Sequence, residues 1–375
     1  MPKDETDELK YQIALTMAQD IGPVTARKLI KELGSARAVL KAPPESLMKI
    51  KGIGKVLSES FQSTLLMQKA EKEIEFMLRH SINALFYKDE NYPSRLNECV
   101  DGPVLLYARG EKGLHAQKIL SVVGTRRATS YGRNTCMEII KGLSTMVSDL
   151  VIVSGLAYGI DVIAHRAALE CGIPTVAALG HGLATLYPYS HRDTAKKISK
   201  QGALITDFHS GMGPERNNFI RRNRIIAGLA DATLVVESAE TGGALITAGM
   251  ASSYDRDVLA VPGRVGDDRS KGCNRLIRNT VAALVESPED IIHHLNWHED
   301  NVAGMVQPGE VFTFTQKERQ VLDLILQHHG IDPGLLSSMS GISIQEVLVL
   351  LLEMELKQWV SVGPGNQYSS RIQIS

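Results

Sequence analysis

Six short apolar runs constrain this chain more than any other feature, because several end in a glycine-rich turn and lead into a helical pattern. Ile119-Leu120-Ser121-Val122-Val123 runs into Gly124-Thr125-Arg126-Arg127-Ala128-Thr129-Ser130-Tyr131-Gly132 and a helical stretch to about Thr145. Leu150–Val153 runs into Ser154-Gly155-Leu156-Ala157-Tyr158-Gly159-Ile160-Asp161 and the helix VIAHRAALECG. Pro174–Leu179 ends in Gly180-His181-Gly182. Ala203–Thr206, Ala232–Glu237 and Val258–Val261 follow, the last meeting Pro262-Gly263. A continuous apolar run of this length suits a strand buried on both faces. Strands alternating with helices predict a parallel, doubly wound α/β sheet.

Composition agrees. Aromatic residues are 5% of the 375 residues and glycines number 32, which favours glycine-turned α/β structure over a β-sandwich. Lys plus Arg is 41 against 42 for Asp plus Glu, a net charge of -1. That excludes a surface coated in positive charge but permits a local basic cleft. Cys99, Cys136, Cys171 and Cys273 form no CxxC pair, so neither a zinc ribbon nor a disulfide scaffold is expected. They read as buried small hydrophobes. The opening MPKDETDELK holds no apolar run for a secretory signal, and no stretch of 18 apolar residues follows. The expectation is a cytoplasmic protein with no membrane span and no cofactor.

Three segments differ in texture. Residues 1–80 are helical, 82–298 carry the Rossmann-like strand–turn–helix rhythm, and 312–375 form a small helical module after a Gly- and Pro-containing linker, 299–311. In the first segment, Ile21-Gly22-Pro23 and Ile53 between Gly52 and Gly54 each open a helix. The pattern resembles a helix–hairpin–helix (SAM-like) domain, whose hairpin offers backbone N–H groups to phosphate. The second copy matches better, so Gly52, Gly54 and Lys55 are secondary DNA-binding expectations; Pro23 lacks the N–H donor. A purely structural bundle is the competing reading. In the last segment Thr315 and Glu318 have capping-box spacing. Two further helices and a strand–turn–strand around Gly363-Pro364-Gly365 make a winged helix. Its third helix, IQEVLVLLLEMELKQW, has one Gln and one Lys for base contacts, which points to protein rather than sequence-specific DNA recognition.

The turns of the central segment carry neither GxGxxG nor GxxxxGK[ST], so no standard dinucleotide or triphosphate fingerprint is present. They carry arginine instead. Arg126 and Arg127 lie at a strand end, and residues 216–224 read Arg-Asn-Asn-Phe-Ile-Arg-Arg-Asn-Arg ahead of an apolar helix. Arginine at a helix N-terminus is unfavourable unless an anion answers it. Phe219 adds a flat face, completing the groove-and-platform pattern of single-strand binding. The alternative is that these arginines pair with Glu237, Glu240, Asp207 or Asp231. A third basic stretch, Arg264, Arg269, Lys271, Arg275 and Arg278, reads equally as a solvated face. Catalytic constellations are weak. His165 reads as packed or capping, His181 lacks a nucleophile, and Ser154 lacks GxSxG. His293, His294 and His298 lack a metal-spaced partner, and Asp161 reads as a cap.

Taken together and in order, VVGTRRATSYG, SGLAYGIDVIAHRAAL, LGHG with LYP, FIRRNRIIAGL, ESAETGGALITAGMA and DVLAVPG resemble the DNA-processing protein A family (DprA, also called Smf). The resemblance implies an extended Rossmann-like domain that binds single-stranded DNA, forms homodimers and assists loading of the RecA recombinase in natural transformation and homologous recombination. A contact with single-strand-binding protein is a further expectation. No established catalytic activity comes with the family. By position, its DNA pocket falls on Gly124, Arg126, Arg127, Phe219, Arg222, Asn223 and Arg224, and Arg216 resembles the basic residue just before the aromatic; apart from the resemblance, Arg275 of the third basic stretch is a secondary DNA-binding expectation. Val281–Leu295 is the implied dimer segment. Ile220 stands where the family usually has proline, and Thr206-Asp207 where it often has Ser-Glu, which affects loop shape. The other readings are a nucleotide-acting phosphoribohydrolase-like enzyme, suggested by Thr241-Gly242-Gly243 without the fuller PGGxGTxxE motif, and a protein-binding scaffold.

Overall fold

The computed structural model describes residues 3–61, 64–297, 314–328, 331–357, 359–363 and 367–370. The linker expectation at 299–311 and His298 fall outside them. The chain forms two compact units, Met1–Trp297 and His298–Ser375.

The first unit begins with helices α1 (Lys3–Thr16), α2 (Pro23–Leu33), α3 (Ala36–Lys41), α4 (Pro44–Met48), α5 (Lys55–Ser60) and α6 (Thr64–Arg79). Strand β1 (Asn83–Phe86), helix α7 (Ser94–Glu98) and strand β2 (Leu105–Arg109) follow. The strand–helix alternation then runs β3 (Lys118–Val123), α8 (Ser130–Met146), β4 (Leu150–Ser154), α9 (Ile160–Glu170), β5 (Thr175–Ala178), α10 (Arg192–Gln201), β6 (Ala203–Thr206), α11 (Arg216–Leu229), β7 (Ala232–Val235), α12 (Gly243–Ser253) and β8 (Asp257–Ala260). Helix α13 (Lys271–Arg278), strand β9 (Ala283–Leu284) and helix α14 (Pro288–His294) close the unit.

The nine strands lie in the order β1-β2-β6-β5-β4-β3-β7-β8-β9. From β6 to β9 every pairing is parallel. All five residues of β4 are buried, as a strand covered on both faces requires. The all-parallel expectation needs one correction: β2 pairs antiparallel with β6, and β1 antiparallel with β2. Strand β1 at the edge and β2 beside it escape the sequence pattern because they stand outside the strand–turn–helix rhythm.

The chain builds outward from β3 through β4, β5 and β6, then returns to β7 on the other side of β3. That reversal creates a switch point, and a crevice opens there beyond the carboxyl ends of the strands.

The helical segment 1–80 is not a separately packed body. A single apolar cluster joins Leu9, Ile13, Leu29 and Ile30 to Phe86, Tyr107, Leu179 and Leu204. The change in texture near residue 80 marks a change of element type, while apolar burial continues across it.

In the second unit, α15 (Gln316–Gln327), α16 (Pro333–Ser340) and α17 (Ile344–Leu356) precede an antiparallel hairpin, β10 (Val360–Gly363) with β11 (Gln367–Ser370). Thr315 and Glu318 form the capping box read from the sequence. Val321, Leu336, Val347, Leu351 and Trp359 make the core. Helix α17 leaves Leu348, Val349, Leu352 and Leu356 exposed. Among the described residues no helix is long and apolar enough to cross a membrane.

Candidate nucleic-acid interface

A cleft of about 580 Å³ occupies the switch point. The loop after β3, the loop after β7 and the first turns of α11 and α12 enclose it. Two backbone bonds fix the first loop: Thr125 N–H donates to the Glu237 carbonyl at 2.7 Å, and Ile160 N–H donates to the Thr125 carbonyl at 3.2 Å. Gly159 makes that second approach possible. Its φ is +77°, and a Cβ there would run into the Thr125 carbonyl oxygen.

Helix α11 begins at Arg216, so the arginine run lies within the helix rather than ahead of it. The i, i+3 spacing puts Arg216 and Phe219 on neighbouring positions of one face, and both line the cleft. Phe219 is half-buried, and the exposed Arg126 carries its guanidinium 5.8 Å from the ring centroid, within cation–π range. Tyr187 lies 5.7 Å from the same ring. Thr241, Gly242 and Gly243 are exposed on the opposite wall, where α12 starts. Unsatisfied N–H groups at such a start favour an anion.

The floor is different. Arg222 is 3% exposed and donates to the carbonyl oxygens of Gly155, at 2.6 Å, and of Ala178. Glycine is required at 155 because a Cβ there would collide with the guanidinium. The buried Asp161 faces Arg222. Desolvation raises the Asp161 carboxyl above its ordinary range, and Arg222 opposes that shift. Burial in turn lowers Arg222 to about 10, with Asp161 pulling it back up. Each charge therefore compensates the other in a low-dielectric site. Asn223 donates to the Gly243 carbonyl at 3.3 Å, tying α11 to the start of α12.

The cleft lining thus brings together Gly124, Arg126, Arg216, Phe219, Arg222 and Asn223. It does not include Arg127, Arg224, Arg275, Gly52, Gly54 or Lys55. Arg127 is exposed beside the cleft, its carbonyl accepting from Arg269. Arg224 is buried and paired with Asp207, as the carboxylate-pairing alternative anticipated, and it also donates to the Asp101 carbonyl. Arg275 is half-buried on α13. Gly52, Gly54 and Lys55 are exposed at the start of α5, where Lys55 lies 3.9 Å from Glu59. Two of the other named carboxylates have different partners: Asp231 pairs with Arg95 at 2.7 Å, and Glu237 accepts from Thr129 N–H and Oγ1.

His165 is fully buried, with Nδ1 2.7 Å from the Thr175 hydroxyl, and desolvation lowers it to about 3. His181 is buried and accepts from Tyr187 N–H at 3.2 Å. Cys99, Cys136 and Cys273 are buried free thiols, and Cys171 is partly exposed. Among the described residues no group of three His, Cys, Asp or Glu is placed to hold a metal ion.

Tyr187 is the cleft-side residue that sequence reasoning missed. Its signal was present in the Leu-Tyr-Pro string of a strand-end loop, where an aromatic has no core to enter.

The family described as DNA recombination-mediator protein A matches residues 83–296. Protein Smf of Escherichia coli is 36% identical over 287 residues, 74% of each chain. Among solved structures, DNA processing protein A from Streptococcus pneumoniae is 29% identical, covers 76% of this chain and 97% of that one, and gives a TM-score of 0.62. DNA processing protein A from Helicobacter pylori, a structure addressing its single-stranded DNA binding mode, is 25% identical, covers 57% of this chain and 95% of that one, and gives a TM-score of 0.52. The Rossmann-like sheet, the ordered glycine and arginine motifs and these matches agree: the chain belongs to the DNA recombination-mediator protein A family, the DNA-processing proteins called DprA or Smf.

Proposed function

We propose that this chain binds single-stranded DNA in the switch-point cleft, without chemical change to it, and passes the strand to RecA recombinase in natural transformation and homologous recombination. One observation carries the reading: Arg126 stands over the ring of Phe219 at the mouth of a cleft that also holds Arg216. Stacking on the ring is tolerant of sequence because every base has a flat face, and the arginines answer phosphate. A duplex hides its base faces, so the platform favours single strands. The non-catalytic part of the reading rests on the engagement of the titratable groups: Asp161 is held against Arg222, while His165 and His181 are buried in the fold.

Transfer to RecA, a homodimer using Val281–Leu295 and a contact with single-strand-binding protein complete the proposal, and they rest on family membership. The exposed apolar face of α17 suits a protein partner more than a DNA groove.

The test is fluorescence anisotropy of labelled oligo(dT) and a matching duplex across a salt series, with Arg126→Ala and Phe219→Ala. Salt-steep single-strand preference weakened by both variants supports the reading. Equal weak binding to both DNAs, or binding indifferent to both variants, overturns it. Because α12 opens its first turn into the cleft beside Thr241, nucleotide hydrolysis assayed on the same samples tests the phosphoribohydrolase-like alternative.

A further inference from the structure

A second groove, of about 690 Å³, lies on the far side of the 179–189 loop from the cleft. Its polar lining includes Arg109 from β2, Thr185 and Tyr189 from the loop, and Arg192, Lys196 and Ser199 from α10, over Leu183 and Leu204. No carboxylate lines it. Among the described residues, none of its three cations lies within 4.0 Å of an acidic group. Arg109 Nε is shut away from water with no hydrogen-bond partner. In a chain of net charge -1 this is a concentrated positive field. The other side of α10 differs, because Lys112, Arg166, Lys197 and Lys200 share it with Glu170 and Asp193.

One loop, between β5 and α10, reaches both groove and cleft: Leu183 and Tyr189 line the groove, and Tyr187 lies against Phe219 of the cleft. Gly180, at one end of the intervening loop, packs against Phe219. Tyr187 is 45% exposed, 5.7 Å from the Phe219 ring. Tyr189 is 70% exposed, with the Arg192 guanidinium 5.8 Å from its centroid and donating to its hydroxyl at 3.0 Å. The arginine-over-aromatic pairing at Phe219 therefore recurs at Tyr189, two residues along the chain from Tyr187. Exposed rings beside cations suit successive bases of one strand. On α10 the groove-side cations Arg192 and Lys196 stand one turn apart, about 6 Å along the helix.

We propose that single-stranded DNA leaving the cleft passes over Tyr187 and Tyr189 and is held by its phosphates in the groove of Arg109, Arg192 and Lys196. This rests on the cleft reading and lengthens its site; it adds no base specificity, since no groove residue is placed against a fixed base edge.

The experiment uses the full chain and two labelled oligonucleotides, oligo(dT) of about 5 and about 20 nucleotides, bracketing the site sizes of single-strand binders. The variants are R192E/K196E in the groove, K197E on the opposite side of α10, and R126A in the cleft. The groove variant should lose about tenfold in affinity for the long oligonucleotide and flatten its salt dependence, while binding the short one within about twofold of wild type. K197E should bind both nearly as wild type does. Equal loss on both lengths, no loss on either, or an equal loss in K197E overturns the groove. Displacement of the long oligonucleotide by poly-glutamate as readily as by unlabelled oligo(dT) also overturns it, in favour of an acidic peptide. Failure of R126A to weaken the short oligonucleotide overturns the cleft reading instead, so the two failures are distinguishable.

Discussion

The mouth and the floor of the cleft draw on one helix and one residue type, yet their arginines do opposite work. Arg216, with Phe219 one turn on, faces the mouth together with Arg126. Arg222, two turns into the same helix, forms the floor and is 3% exposed, committed to Gly155 and Ala178, and Arg224 beyond the cleft is 7% exposed and committed to Asp207. The difference teaches that a dense arginine motif mixes ligand and scaffold. A guanidinium in water is free to meet a phosphate. One buried among carbonyls is a cross-link whose removal strands other buried groups.

The largest expected effect lies in the floor. Arg222→Ala leaves Asp161 and two carbonyls uncompensated and should lower unfolding stability by about 4 kcal/mol, measured by urea denaturation. Arg222→Lys, which keeps the charge but loses the fork, should fall between. An Arg222→Ala protein as stable as wild type would erase the distinction between mouth and floor.

Next comes pH. His165 lies in α9 behind the floor, with a folded pKa of about 3 against an unfolded value of about 6.5. Between those values the unfolded chain binds more protons, so stability falls as pH falls. The expected loss from this group is about 2 kcal/mol between pH 7 and pH 5. Replacing His165 with Gln should flatten that segment of the stability profile, and an unchanged slope would move the pH sensitivity elsewhere.

Phe219→Ala should weaken oligo(dT) binding by about tenfold, the worth of one stacked base, while leaving the salt slope alone. A change in slope without loss of affinity at low salt would remove the platform from the mouth. The smallest effect is that of Arg126→Ala on stability, within about 0.5 kcal/mol because the side chain is exposed. Its signature is a salt slope shallower by about 0.7–1 on single strands. A stability loss as large as that of Arg222→Ala would make Arg126 part of the floor.

Much of this architecture was legible beforehand. The runs at 119–123, 150–153, 174–179, 203–206, 232–237 and 258–261 correspond to β3 through β8, because strands buried on both faces leave an unbroken apolar signature. Strands β1 and β2 carry apolar runs as well, at 84–87 and 104–108, but no helix after a glycine turn follows them, because an antiparallel pairing needs no crossover helix to announce it. Ligand chemistry was legible in the residue types of 124–127 and 216–224. What each arginine does there was not: i, i+3 spacing shows which residues share a helix face, whereas burial depends on what packs against that face.

The sequence by itself determined the strand–turn–helix order, the glycine positions where backbones must approach and the kinds of side chain brought to the strand ends, because these depend on local periodicity and steric demand. Only the tertiary structure decided that the chain reverses at β3 and β7, that Asp207 lies against Arg224, that Tyr187 meets Phe219, and that the helical segment shares a core with the sheet. Each of these joins residues distant in sequence or on different elements, and such contacts are set by the packing of whole faces, which no local pattern encodes.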